Sequence, residues 1–83
     1  MPLIEQLAHV SDQPSFIAFV RALQADRADL NTRSEWQQDT IEDYLEAAAA
    51  WAEDAPMQLP PSLDIAAIWR TFAQFLYCGK IYE

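Results

Sequence analysis

One glycine, one asparagine, one cysteine and one histidine are all that these 83 residues contain of four informative types. Tight hairpins need residues that accept positive φ, chiefly Gly, Asn or Asp, so the near absence of Gly and Asn argues against a sheet built on them. A single cysteine, Cys78, cannot form an internal disulfide. A secreted domain of this size generally relies on such staples, so the expected compartment is the reducing cytoplasm. Bases are scarce as well: five Lys and Arg stand against thirteen Asp and Glu, for a net charge of −8. Binding to DNA or RNA requires a basic face that displaces counterions, and anionic membrane surfaces make the same demand. No run approaches the ~20 apolar residues of a membrane span. Residues Met1–Glu5 lack the basic flank and apolar stretch of a signal peptide.

What is present is apolar and aromatic. Hydrophobic residues make up 52 % of the chain, with three Trp, three Tyr and four Phe. That is too apolar for a disordered tail. Alanine and leucine recur at helical spacing, and both favour helices. The pattern predicts one all-α domain over residues 1–83, a small helical bundle of three main helices plus a short N-terminal one. Residues 3–10 read as a short first helix or a docked arm, with Leu3, Ile4, Leu7 and Val10 as its stripe. The second runs from about 13 to 27, capped by Ser11 or Asp12, with Pro14 in the tolerant first turn. Phe16, Phe19, Val20 and Leu23 line one side of it, and Arg27 falls on that side too. Arg27 is either past the helix end or lays its stem on the core edge while its head reaches an acid.

Residues 29–38 form a polar connector in which Trp36 is embedded. The third helix starts at Asp39-Thr40 with capping-box spacing to Glu42 or Asp43, and continues to about Asp54. Ile41, Tyr44, Leu45, Ala48, Trp51 and Ala52 share its apolar face; Glu42, Asp43, Glu46 and Glu53 share the opposite one. Prolines hold residues 55–61 extended. Ser62 or Asp64 caps the fourth helix, whose broad apolar arc includes Ile65, Ile68, Trp69, Phe72, Phe75 and Leu76. Gly79 is expected to close it, with Ile81 and Tyr82 folding back onto the bundle. The expected core is Phe16, Phe19, Leu23, Leu45, Trp51, Trp69, Phe72 and Leu76.

The segment Trp36–Ala47, then Trp51 and Asp54, then Trp69-Arg70-Thr71-Phe72-Ala73, and finally Lys80-Ile81-Tyr82-Glu83 resemble a family of small bacterial proteins of unknown function. That family pairs a W-x-N-x-T-like helix start with a terminal W-x-x-F-A…Y-E segment. The resemblance covers roughly residues 15–83 and implies one compact domain without implying an activity. This chain departs from it at Gln38, where the pattern has Asn, so helix capping is expected to pass to Asp39 or Thr40.

Reactive groups do not gather anywhere in the sequence. His9 and Cys78 are far apart in the chain, and the expected roles are a surface imidazole and a half-buried thiol. One His and one Cys cannot supply a zinc site, and the loop pattern of a calcium site is missing. Phosphate-binding loops need glycines this chain lacks. No catalytic residue, no metal and no cofactor is therefore expected. Two surface features remain. The acids Glu42, Asp43, Glu46 and Glu53 form either a solvated face that serves solubility or a candidate interface for a basic protein partner. The rings of Trp36, Tyr44 and Tyr77 are candidate anchors. For Trp36 the competing structural reading is a lid over the third helix near Ile41 or Leu45, its indole N–H bonded to a carbonyl. The preferred function is a non-catalytic interaction module, an adaptor or an immunity-like inhibitor of a basic partner. The alternatives are a small-ligand protein or enzyme with an aromatic pocket near Trp36, and an obligate homodimer.

Overall fold

Local capping groups decide where each main helix begins. In the computed structural model, which describes residues 2–54 and 62–82, the element order is α1 (Leu3–Ala8), α2 (Gln13–Ala28), a 3₁₀ turn (Arg33–Glu35), α3 (Ile41–Asp54) and α4 (Ile65–Ile81). The protein is all-α, with three main helices and a short N-terminal one, and no strand occurs among the described residues. The chain divides into two compact units, Met1–Ala48 and Ala49–Glu83. The expected proline-held connector, residues 55–61, lies outside the described residues.

In the first unit α1 packs on α2. It ends two residues earlier than its apolar stripe suggested, and the His9 Nδ1 donates to the Glu5 carbonyl at 2.8 Å just past the end. A six-residue helix is unstable alone, so its support comes from that packing. The start of α2 is a reciprocal capping box. The Ser15 N–H donates to the Asp12 carboxylate at 2.9 Å, and the Asp12 N–H donates to the Ser15 Oγ at 3.0 Å. Proline sits in the first turn, where no helical donor is lost. Phe16, Phe19, Val20 and Leu23 form the half-buried side of α2, as their spacing predicts. Asp26 and Arg27 extend that side by one turn.

The last carbonyls of α2 are taken up by the connector that follows. Arg33 donates through Nε to the carbonyl of Arg27 and through Nη2 to that of Ala28, both at 3.2 Å. The Thr32 hydroxyl donates to the Asp26 carbonyl at 2.6 Å, and the Asn31 N–H donates to the Asp29 carboxylate at 2.9 Å. A cation at this end of a helix also meets the negative pole of its dipole. The segment expected to be merely polar is thus tied to the helix it leaves.

At the start of α3, Thr40 rather than Asp39 is the cap, its Oγ accepting the Asp43 N–H at 3.1 Å. In the second unit, Asp64 rather than Ser62 caps α4 by accepting the Ala67 N–H at 3.1 Å.

Two expectations are overturned. Gly79 does not close α4: the helix runs on through Ile81, no glycine has positive φ, and Tyr82 follows in extended backbone. Ile81 therefore belongs to the helix, and Tyr82 is 86 % exposed. A glycine ends a helix only where something pulls the chain into a left-handed turn, and an apolar arc that continues to Ile81 favours another turn of helix instead. The second correction concerns the core. No described residue is fully buried. Phe16, Phe19 and Leu23 are half-buried, while Leu45, Trp51, Trp69, Phe72 and Leu76 all remain exposed, Trp51 to 60 %. Helical periodicity identifies an apolar face; it does not specify what packs opposite that face.

The space where a Gly79 side chain would stand is empty. Gly79→Ala should accordingly stabilise the protein by about 0.5–1 kcal/mol, read as a higher urea midpoint at unchanged slope. A lower midpoint would mean that the glycine is required there.

The Asp12 carboxyl is held below its ordinary value of 3.8, first by the Ser15 hydroxyl and then by the Ser15 backbone N–H, against a smaller opposing effect of desolvation. A carboxyl that is more acidic folded than unfolded adds stability above its unfolded value and loses it as pH falls through the folded one. Asn caps helices as well as Asp but does not titrate in this range. The helicity of the parent protein should therefore fall relative to Asp12→Asn below about pH 4 and run parallel to it above, in paired circular-dichroism titrations.

Candidate functional site

The turn of chain between α2 and α3 encloses a recess in the first unit. It has a volume of about 370 Å³ and is lined by Arg27, Trp36, Gln38, Asp39, Thr40, Ile41 and Tyr44. Three features of the local fold shape it. Trp36 ends the 3₁₀ turn in extended backbone, which swings its side chain back toward α2. There the indole Nε1–H donates to Asp26 Oδ2 at 2.7 Å, a half-buried contact. The capped first turn of α3 then presents Tyr44 to the indole, with ring centroids 6.1 Å apart and planes inclined by 30°. Offset rings at this separation attract one another beyond the area they bury.

Trp36 thus takes the lid position over the start of α3, with two differences from the sequence expectation. Its ring partner is Tyr44, and its N–H is bonded to a carboxylate instead of a carbonyl. A charged acceptor makes the stronger bond, and Asp26 stands on the last half-buried turn of α2, within reach.

The polar side of the recess is formed by Arg27 and Asp39. Arg27 Nη2 lies 3.9 Å from Asp39 Oδ1 and donates to the Asp39 carbonyl at 3.4 Å. Of the two readings of Arg27, the structure selects the one in which it remains helical and reaches an acid. The contact is long and loose, for the Asp39 side chain is 92 % exposed while that of Arg27 is 31 % exposed. Ion pairs of this kind contribute roughly 0–1 kcal/mol.

The remaining candidates fall as follows. Glu42, Asp43, Glu46 and Glu53 are all exposed on α3. Among the described residues Arg27–Asp39 is the only ion pair, so these four acids have no basic partner there. Trp36 and Tyr44 come together at the recess. Tyr77 lies on α4 in the second unit, and Lys80 of the same helix places its Nζ 5.8 Å from the Tyr77 ring centroid. His9 is exposed, and so is Cys78, which was expected to be half-buried but lies on a side of α4 with nothing covering it among the described residues. Among the described residues no group of three or more His, Cys, Asp or Glu side chains could hold a metal ion. No helix among them is long and apolar enough to cross a membrane.

Sequence reasoning overlooked Asp26 and Arg33, and it read Gln38 only as a departure in the helix cap and not as part of a recess. The first could have been found from the need of an indole N–H for an acceptor, since Asp26 follows Leu23 by three positions on the same helix side. Arg33 was legible in principle as a base just beyond a helix end. Gln38 carried no signal beyond its departure from the expected Asn.

With this geometry in place, comparison with known proteins is informative about lineage alone. The chain matches the model of a family of unknown function, DUF7660, over residues 12–83, and so belongs to that family. No curated protein matches it, and no solved structure does.

Removing the carboxylate that holds Trp36 should loosen the recess. Asp26→Ala is expected to destabilise the protein by about 1–3 kcal/mol and to broaden the Trp36 indole N–H resonance, whereas Asp26→Asn, which still offers an acceptor, should lose less than half as much. Equal losses from both substitutions would show that the indole bond does not hold the ring.

Proposed function

We propose that this protein is a non-catalytic protein–protein interaction module that takes a basic partner at the Trp36–Tyr44 recess and along the acid-bearing side of α3. The observation that carries this reading is the juxtaposition of an open aromatic recess with acids that lack basic partners among the described residues. Trp36 is half-buried, held by Asp26, and lines an open hollow. Aromatic side chains held rigid at a surface are characteristic binding hot spots, because little further entropy is lost when a partner docks. Glu42 and Glu46 lie one helical turn apart, where like charges oppose each other by a few tenths of a kcal/mol. A basic partner would turn that small cost into attraction and speed its encounter. An adaptor and an inhibitor of a basic protein both fit this chemistry.

A second reading rests on the size of the hollow. A volume of about 370 Å³ lies within the roughly 300–1,000 Å³ range of small-molecule sites. On that reading the recess binds an organic ligand and the acids of α3 serve solubility.

Selection from a random peptide display library separates the two. The interaction reading predicts enrichment of Lys- and Arg-containing peptides. Their binding should fall at least about tenfold with Trp36→Ala, or with Glu42→Lys and Glu46→Lys combined, and weaken as salt shortens the Debye length from ~10 Å to ~3 Å. Failure to enrich any peptide, or enrichment indifferent to both variants, overturns it.

A further inference from the structure

We infer that the recess receives the side chain of a lysine or arginine from the partner, its stem laid along Trp36 and its cationic head against Asp39, in a seat that Arg27 partly fills. This inference rests on the interaction reading above and specifies what is recognised.

Three observations lead to it. The walls offered by Trp36, Tyr44 and Ile41 are apolar surfaces of the kind a long aliphatic stem covers, and the ring faces attract a cation placed over them. At the rim, Asp39 keeps a carboxylate almost wholly in solvent, with the loose contact to Arg27 as its only ion pair among the described residues. Finally, Arg27 itself is a cation drawn from the protein's own chain. It enters the same hollow from α2 and engages Asp39 only at 3.9 Å from the carboxylate and 3.4 Å from the carbonyl. A side chain arriving from outside is not bound to α2 and meets the exposed Asp39 carboxylate from the solvent side. Charge separates this occupant from others. An anionic group would meet Asp39, with Glu42 and Asp43 in the next turn of chain. A neutral apolar group would cover the rings but leave Asp39 without a new partner.

Arg27 thereby acts as a resident competitor. The incoming head displaces it from Asp39 and returns it to solvent. Loss of Arg27 should therefore tighten binding, a sign opposite to that expected of any residue needed only for stability.

The test uses the full chain, ¹⁵N-labelled, titrated with N-acetyl-arginine amide and N-acetyl-lysine amide and, as a neutral control of similar length, N-acetyl-norleucine amide. The Trp36 indole N–H, identified by its absence in Trp36→Phe, reports on the recess. Saturable shifts are expected with the two cationic amides and not with norleucine amide. Arg27→Gln should tighten the cationic amides roughly two- to fivefold, the worth of a freed surface ion pair, and Asp39→Asn should weaken them by a similar factor. Equal shifts with norleucine amide, or weaker binding to Arg27→Gln, would overturn the inference. Either result would leave the interaction module intact, since the peptide selection does not depend on which side chain enters. Absence of any shift while library peptides still bind through Trp36 would likewise reject the cation seat alone.

Discussion

The wall of the recess depends on one hydrogen bond, from the indole N–H of Trp36 to the carboxylate of Asp26, at 2.7 Å. The two lie ten positions apart, and the chain between them, which Thr32 and Arg33 also tie to α2, would otherwise sample many conformations at about 1–2 kcal/mol of backbone entropy per residue. The bond fixes one of them. It sets the plane of the indole, which lets Tyr44 lie against it, which in turn leaves a hollow on the other side. Remove the carboxylate and the wall, the ring pair and the rim acid Asp39 lose their common reference.

Helix starts were legible in the amino-acid pattern because capping is local. Asp12, Thr40 and Asp64 each satisfy a donor three residues ahead, so the information needed lies within one turn. The half-buried side of α2 was legible for the same reason, since Phe16, Phe19, Val20 and Leu23 repeat at the helical period. Burial in α3 and α4 was not. The amphipathic sides were identifiable, yet how much of Trp51 or Trp69 is covered depends on what stands opposite, which no local rule specifies. Gly79 shows the limit from another direction. Glycine permits a helix to end but does not compel it, and with no demand for positive φ the helix simply continued.

The candidate site was half visible. Trp36 and Tyr44 were singled out separately, one as a ring in a polar stretch and one on a helix face. That they touch depends on the 3₁₀ turn at Arg33–Glu35, whose geometry follows from the carbonyl bonds of Arg33 and the hydroxyl of Thr32. Arg27 was read as part of a helix side and Asp26 not at all; the same geometry makes Arg27 an edge of the hollow and Asp26 the anchor of its indole wall.

Arg33 grips α2 through main-chain oxygens, which every residue type provides. Those two bonds are indifferent to which side chains occupy positions 27 and 28. The contact of Arg27 with the Asp39 carbonyl, at 3.4 Å, is the tie that a change at position 27 would remove. The two kinds of tie divide the work: the Arg33 bonds hold the chain to α2 whatever the neighbouring side chains are, and the Arg27 contact shapes the polar edge of the hollow.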